Sequence, residues 1–291
     1  MAGDMLRRRT GRVQGRAAAW VEAGAPDAPP LLVLHGAGLD RGGCSFGPAI
    51  PGLAEHFRVL APDLPGHGDT QILPEGRGLP GLARWAAAFL DHMGIDRLPV
   101  TGVSMGGAVS ILMALDHRPR VMGIVPCATY GIARRAPMLH PLFHAVTRLP
   151  LNRMADPLIA NSNIAAWSAL RAIVHDPSVI TPEIVAELRR VAAETPAEDF
   201  FDSFFRSEVT PTGFRTALLP RLGSLKVPAL FIHGLHDGAV PVAAGREAAR
   251  AAGVDLVELD AGHWPMFEDP DGYLAAALPF LETVQNTKSS A

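Results

Sequence analysis

The sequence contains few cysteines and no long hydrophobic segment. Its two cysteines, Cys44 and Cys127, are far apart and in no metal-binding or redox spacing, which indicates two reduced thiols rather than a disulfide framework. The basic residues 7–9 are not followed by the apolar stretch of about 7–15 residues that a secretory signal requires. No segment approaches the roughly 18 uninterrupted apolar residues of a membrane span. We therefore expect a soluble, cytoplasmic protein with no membrane partner.

Lysine is almost absent, since Lys226 and Lys288 are the only lysines among 26 basic residues. The net charge of −3 gives no support to a nucleic-acid partner. Apolar residues make up 48% of the 291 residues and charged residues 19%, which is typical of a globular chain and not of a disordered one. A chain of this length suits one large α/β domain or two small ones.

Short, continuous apolar runs alternate with segments of helical spacing in two parts of the chain. Such runs are typical of strands buried on both faces, and their alternation with helices predicts a mostly parallel sheet. The basic residues 1–12 are expected to be frayed. Between residues 130 and 222 the alternation stops, and prolines separate short helical segments. We therefore divide the chain into a core domain, residues 1–129 and 223–291, and a helical insertion, residues 130–222.

The stretch Gly102-Val103-Ser104-Met105-Gly106 has the form G-x-S-x-G and stands between an apolar run and a helical segment. In that context the motif places a serine on a sharp turn at the sheet edge, and its glycines avoid clashes. A serine nucleophile needs a base, and the base needs an orienting group. His263 and Asp237 follow predicted strands, in the serine, aspartate, histidine order of this motif class. The sequence predicts these three residues as the catalytic group.

Two backbone N–H groups are expected to bind the oxyanion of the reacting carbonyl. Met105 follows the serine, and Ala37 lies in the glycine-bearing loop after an earlier apolar run. Gly38 in the same loop permits a close approach of the backbone to a substrate. Trp264, directly after the histidine, is the second predicted substrate contact.

Other polar residues at predicted strand ends are assigned structural roles. His35 and His67 lie in glycine-bearing turns and are expected to hold loops through hydrogen bonds, while Asp63 and Asp260 fit turn positions. His236 adjoins the orienting aspartate, but neighbouring residues point in different directions.

The sequence predicts neither a metal ion nor an organic cofactor. His140 and His144 are four positions apart in the insertion, but no third ligand or H-E-x-x-H pattern accompanies them. The glycines at residues 36–38 lack the third glycine and the following helix of a dinucleotide-binding fingerprint.

Five blocks together resemble the α/β-hydrolase superfamily over residues 16–283. The blocks are Leu-His-Gly-Ala-Gly at 34–38, Ala-Pro-Asp-Leu-Pro-Gly-His-Gly at 61–68, Gly-Val-Ser-Met-Gly-Gly at 102–107, His-Gly-Leu-His-Asp at 233–237 and Ala-Gly-His-Trp-Pro at 261–265. The resemblance implies an α/β-hydrolase fold, with an eight-stranded, mostly parallel sheet, helices on both faces and a helical cap inserted after the sixth strand. Residues 130–222 stand at the position of that cap. It also implies the same catalytic triad.

Hydrolysis of a carboxylic ester through an acyl-enzyme is the leading hypothesis for the reaction. Relatives that cleave epoxides or carbon–halogen bonds use an aspartate nucleophile, whereas this chain has Ser104. Cofactor-free peroxidase or acyl-transfer chemistry uses the same triad and stays open. A non-catalytic ligand receptor on the same fold is a further alternative, although all three triad residues are present.

Carbon–carbon bond hydrolysis of a vinylogous diketone is the main alternative. The chain resembles enzymes of that kind at residues 104–107 and at Trp264, but it has Val103 where they usually carry asparagine. Those enzymes also hold the substrate carboxylate with a cap arginine. The candidates here are Arg189, Arg190 and Arg206.

The insertion is expected to govern substrate choice. Its segments Phe200-Phe201 and Phe204-Phe205 repeat four positions apart and would share a helix face. Packing on the core accounts for most aromatic residues of the insertion, and the others are expected to line an apolar pocket. We therefore expect a small-molecule substrate with a medium-sized apolar or aromatic acyl group, bound by a monomer or homodimer.

Overall fold

The computed structural model of the chain describes residues 6–75, 77–133, 140–149, 151–194 and 200–287. The strands are β1 (Arg7–Val13), β2 (Arg16–Ala23), β3 (Pro30–Leu34), β4 (Arg58–Pro62), β5 (Leu98–Val103), β6 (Val121–Cys127), β7 (Val209–Thr210), β8 (Gly213–Phe214), β9 (Leu230–Gly234) and β10 (Asp255–Leu259). The α-helices are α1 (Ile50–Ala54), α2 (Leu79–His92), α3 (Met105–Asp116), α4 (His140–Val146), α5 (Leu151–Asn161), α6 (Asn163–Arg171), α7 (Pro182–Glu194), α8 (Phe200–Glu208), α9 (Val242–Ala252), α10 (Pro265–Glu268) and α11 (Pro270–Asn286).

Eight strands form one sheet in the order β1-β2-β4-β3-β5-β6-β9-β10. The pairs of β1 with β2 and of β2 with β4 are antiparallel, and the other neighbours are parallel. The predicted eight-stranded, mostly parallel sheet is confirmed. Strand β4 lies on one side of β3, and β5 lies on the other side. Because successive strands are added on opposite sides of β3, a crevice forms at the carboxyl ends of β3 and β5.

Helices cover both faces of the sheet, as predicted. On one face lie α2, α3 and α9, with Trp85 and Phe89 among the buried side chains. On the other lie α1 and α11, around Phe46 and the fully buried Tyr273. The central helix α3 is buried from Met105 to Ala114, which is typical of a helix enclosed by other elements. Within the described ranges, no helix has the length and apolarity needed to cross a membrane.

The expectation that residues 1–12 are frayed is wrong for the second half of that segment. Arg7–Val13 forms strand β1, which pairs with β2 along its whole length. The connecting turn has positive φ at Gln14 (50°) and Gly15 (78°), the combination that suits a tight hairpin. Arg8 forms an ion pair with the buried carboxylate of Asp63. Arg8 therefore has a buried acidic partner, and the basic composition of this segment does not indicate disorder in β1.

The described residues between β6 and β9 are mostly helical, with α4 to α8 in succession. The region is not the wholly helical insertion expected from the sequence, because β7 and β8 form a short antiparallel hairpin. Strands of two residues are too short to show a periodicity in the sequence. The division of the chain at residues 130 and 222 stays a prediction.

A buried carboxylate joins this helical region to the core. Glu208 Oε1 accepts a hydrogen bond from the Leu79 N–H at 2.9 Å, and Oε2 accepts one from the Thr216 N–H at 3.2 Å. Helix α2 begins after Gly78 and has no side-chain cap of its own. Glu208 therefore caps α2 from a distant part of the chain, with its negative charge at the positive end of the helix.

We predict that Glu208→Ala lowers the free energy of unfolding by about 1–3 kcal/mol, because it leaves buried backbone N–H groups without an acceptor. Urea denaturation measures the change. Glu247→Ala, at an exposed position of α9, is the control and is expected to change the value by less than about 0.5 kcal/mol. Equal changes in the two variants would contradict a capping role for Glu208.

Candidate active site

Ser104 lies between the end of β5 and the start of α3, with φ 52° and ψ −111°. A non-glycine residue in this region is strained, at a cost of about 1–3 kcal/mol. Its N–H donates to the Cys127 carbonyl at 2.9 Å, and its carbonyl accepts from the Tyr130 N–H at 3.0 Å. These hydrogen bonds to the end of β6 and the following loop hold the serine in the strained conformation.

The two glycines around the serine are required by close backbone contacts. A Cβ atom at Gly102 would lie 2.5 Å from the carbonyl carbon of Gly106. A Cβ atom at Gly106 would overlap the backbone oxygen of Leu34 in β3. The strand–turn–helix context expected of the motif is therefore present, and the turn is packed tightly against the neighbouring strand.

The loop after β3 passes beside Ser104. A Cβ atom built at Gly36 would lie 3.6 Å from the Ser104 Cβ atom. Asp40 shapes this loop, because its Oδ2 accepts from the Gly36 N–H at 2.7 Å and its Oδ1 accepts from the Ser45 N–H at 3.2 Å. Sequence reasoning missed Asp40, although an aspartate shortly after a glycine-rich turn is a common loop-forming acceptor.

The two predicted oxyanion donors belong to segments that meet at this turn. Met105 is the first residue of α3, so its N–H has no partner within the helix. Ala37 directly follows Gly36 and packs against the core. Gly38 has φ 79°, a left-handed conformation that glycine adopts without strain.

Asp237 and His263 follow the adjacent strands β9 and β10 and form a buried pair. The distance between His263 Nδ1 and Asp237 Oδ2 is 2.8 Å. Asp237 Oδ1 accepts from the N–H groups of Ala239 and Val240, both at 2.8 Å. Because the carboxylate accepts the hydrogen bond, Nδ1 carries the proton and Nε2 is left as a base.

His233 is a third member of this group that sequence reasoning did not assign. Its buried Nε2 donates to the Val240 carbonyl at 2.8 Å and lies 3.3 Å from Asp237 Oδ2. Burial would raise the pKa of Asp237, but its hydrogen bonds with His233 and His263 outweigh that effect and hold the pKa well below its ordinary value. The pair therefore contributes stability above pH about 4, which is lost as the pH falls and the carboxylate is protonated.

The rings of His35 and His67 pack against each other. His35 Nδ1 donates to the Gly36 carbonyl at 2.6 Å and Nε2 accepts from the Leu64 N–H at 2.8 Å, so the ring is neutral and links two loops. The backbone N–H of His67 donates to the Leu64 carbonyl at 2.9 Å, and the loop-holding role expected of the His67 side chain stays a prediction. Its ring packs on His35 and Phe200, each at 4.7 Å between centroids, and burial lowers its pKa well below the ordinary value.

The remaining candidates have other partners. Asp63 accepts from the Gly42 N–H at 2.9 Å and binds Arg8, which fits its predicted turn role. His236 lies 2.7 Å from an oxygen of Asp260, and both side chains are solvent-exposed.

The two histidines of α4 make separate contacts. His140 Nε2 lies 2.8 Å from the Thr210 carbonyl, and His144 Nε2 lies 2.9 Å from an Arg148 nitrogen.

An apolar cavity of about 350 Å³ lies between the loop after β3, the helices α6 and α7, and the residues after His263. Leu39, Leu170, Leu188 and Trp264 contribute to its walls. Leu39 and Trp264 directly follow Gly38 and His263 in the chain, but neither His263 nor Ser104 is among the residues that line the cavity. Trp264 lines this cavity and Gly38 does not, and the substrate contacts predicted for these two residues stay predictions.

The aromatic residues of the insertion pack mostly on one another and on the core, as predicted for the majority of them. Tyr130 lies 5.5 Å from Phe204 and 4.9 Å from Phe214 between ring centroids, and Phe200 lies 5.6 Å from Phe204. None of these four rings lines the cavity described above. The described walls of that cavity are mainly aliphatic, with Trp264 and Phe267 as aromatic members.

Residues 31–277 match the model of a family described as the alpha/beta hydrolase family. The chain belongs to this family. It is 31% identical to the magnesium-chelatase 30 kDa subunit of Rhodobacter capsulatus, over 95% of this chain and 94% of that protein. It is 28% identical to 2-hydroxy-6-oxo-6-phenylhexa-2,4-dienoate hydrolase of Burkholderia cepacia, over 89% of each chain.

Solved structures of α/β hydrolases share the fold. The enol-lactonase from Burkholderia xenovorans LB400 superposes with a TM-score of 0.75 at 27% identity, covering 94% of this chain and all of that one. This protein is therefore a hydrolase with the α/β-hydrolase fold.

We predict that Gly106→Ala destabilises this α/β hydrolase by about 1–3 kcal/mol and lowers its turnover, because the new methyl group pushes α3 away from β3. The free energy of unfolding, obtained by chemical denaturation, and the rate of substrate turnover are measured on the same preparation. Gly223→Ala is the control, since its Cβ atom would meet only the Ala251 oxygen, at 3.5 Å. Unchanged stability and activity in Gly106→Ala would show that the turn is not as tightly packed as described.

Proposed function

We propose that this hydrolase cleaves carboxylic esters of a medium-sized apolar or aromatic substrate through an acyl-enzyme on Ser104. The observation that carries the proposal is the arrangement at the carboxyl edge of the sheet. A strained serine follows β5, and a buried pair of Asp237 and His263 follows β9 and β10. Serine hydrolysis requires a nucleophile, a base and an orienting acid, and these residues supply the three.

In the proposed reaction, Ser104 Oγ attacks the ester carbonyl while His263 Nε2 accepts the hydroxyl proton. The oxyanion that forms receives hydrogen bonds from the N–H groups of Met105 and Ala37. His263 then returns the proton to the leaving alcohol, which departs as the acyl-enzyme forms. Water, deprotonated by the same histidine, attacks the acyl carbonyl and releases the acid.

Asp237 supports this cycle through its charge. Its lowered pKa keeps the carboxylate ionised throughout the neutral range. The negative charge holds the Nδ1–H tautomer of His263 and stabilises the imidazolium formed during attack. The hydrogen bonds from His233, Ala239 and Val240 keep the carboxylate in position for this role.

The existing contacts of Arg189, Arg190 and Arg206 favour an ester substrate over one that carries a carboxylate. Each of the three candidates has a polar partner within the helical region. The pairs are Arg189 with Asn163 and the Ala160 carbonyl, Arg190 with Glu187 and Glu194, and Arg206 with Asp202. Binding a substrate carboxylate would require one of these pairs to break.

The carbon–carbon hydrolase is the second candidate, and two observations favour it. A relative at 28% identity is named as a dienoate hydrolase, and Trp264, which directly follows His263 in the chain, lines the apolar cavity. The name of the magnesium-chelatase relative describes a subunit, so a non-catalytic role must also be tested. Turnover of aryl esters and of a coloured dienone acid, measured side by side, separates the three possibilities.

We predict that Ser104→Ala lowers kcat for aryl esters by roughly 10⁴-fold or more, because the nucleophile is lost. Circular dichroism and thermal melting are expected to show a folded protein. Ser168→Ala, on the exposed side of α6, is the control and should keep full activity. Ester turnover that survives in Ser104→Ala would exclude the acyl-enzyme, and fast bleaching of the dienone with inert esters would favour the second candidate.

We predict that Leu170→Trp lowers kcat/KM for long-chain or bulky aryl esters at least about tenfold relative to acetyl esters, because it fills the apolar cavity. Ser168→Trp places the same side chain on the exposed face of the same helix and is the control. The ratio of kcat/KM values for the two ester classes is the measured quantity. An unchanged ratio in Leu170→Trp would show that this cavity does not hold the acyl group.

A further inference from the structure

Three side chains of types that can bind metals meet at the protein surface, and the proposed chemistry uses none of them. His175 lies in the loop between α6 and α7, His236 follows β9, and Asp260 follows β10. Their ligand atoms all lie within 4.8 Å of one another. The imidazole rings are stacked with centroids 3.7 Å apart and planes at 15°, and His236 Nε2 lies 2.7 Å from Asp260 Oδ1.

We propose that these three residues form a Zn²⁺ site that joins the loop between α6 and α7, named the cap loop, to the loops after β9 and β10. Two imidazoles and one carboxylate are a common zinc ligand set, and a water molecule completes a tetrahedron. Zinc bonds of about 2.1 Å place ligand atoms about 3.4 Å apart. The proposed site requires the three side chains, which are exposed, to rotate from their present spacing to this one.

The backbone of the site is held in place although the side chains are exposed. Glu268 Oε2 accepts from the N–H groups of His175 and Asp176 at 2.7 and 2.9 Å, and Oε1 accepts from the Gly262 N–H at 2.7 Å. The His236 N–H donates to the Ala261 carbonyl at 2.9 Å, which ties the loops after β9 and β10 together. A fixed backbone reduces the cost of assembling a metal site.

The proposed zinc site is connected to Asp237 through the chain and to His263 through a backbone hydrogen bond. His236 directly precedes Asp237, and the Ile173 carbonyl accepts from the His263 N–H at 2.8 Å. A zinc ion would therefore fix the cap loop against the two segments that carry the acid and the base. We expect bound zinc to slow exchange of the amides in residues 172–176 and, where the proposed esterase activity holds, to slow turnover reversibly.

The experiment uses the full chain without an affinity tag, after chelation and dialysis. ZnCl₂ is titrated by calorimetry, and Co²⁺ is used as an absorbing probe of coordination. The variants are His175→Ala, His236→Ala and Asp260→Asn, each checked for folding by circular dichroism. His56→Ala is the matched control, because His56 and Glu282 form an exposed histidine–carboxylate pair that lacks a second histidine.

The proposal predicts one Zn²⁺ per chain, a Kd raised at least about 100-fold in each of the three variants, and an unchanged Kd in His56→Ala. It also predicts visible Co²⁺ bands of a four- or five-coordinate site in the wild type and in His56→Ala, and their loss in the three ligand variants. Absence of binding, or the same Kd in all variants, would overturn it. The binding result does not depend on ester turnover, so an inactive enzyme that binds zinc would reject only the proposed function.

Discussion

The close backbone packing around Ser104 determines where the candidate site can form. Strands β3 and β5 and the start of α3 approach so closely that Gly102 and Gly106 leave no room for a side chain. The serine between them takes a strained φ of 52°, and hydrogen bonds to the end of β6 and the following loop retain it. The sheet order then brings the loops after β3, β9 and β10 to the same edge, where the polar residues of the candidate site lie.

Carboxylates hold these loops in place. Asp40 binds the loop after β3, Asp63 joins that loop to β1 and to the turn after β4, Glu208 caps α2, and Glu268 connects the cap loop to the His263 turn. Loops lack the regular hydrogen bonds of helices and strands, so their N–H groups need other acceptors. One carboxylate accepts several such bonds. The site therefore rests on loops whose backbone is fixed by acidic side chains from other parts of the chain.

The sequence predicts the features that depend on neighbouring residues. The G-x-S-x-G turn, the mostly parallel sheet and the order of Ser104, Asp237 and His263 follow from local patterns. Features that depend on side-chain contacts are not visible in the sequence: Arg8 on β1 pairs with the buried carboxylate of Asp63, and His233 in β9 lies beside Asp237. The three residues of the proposed zinc site lie on separate loops, so no spacing motif marks them.

The proposed reaction requires Ser104 to carry a covalent acyl group during turnover. The direct measurement is the intact mass of the protein after rapid acid quenching of a reaction with an aryl ester, followed by peptide mapping. Acylation of Ser104 predicts a mass increase equal to the acyl group on the peptide that contains Ser104. The same mass increase should be absent from the Ser104→Ala protein. An adduct on another residue, or rapid ester turnover with no adduct at any quench time and full activity in Ser104→Ala, would contradict it.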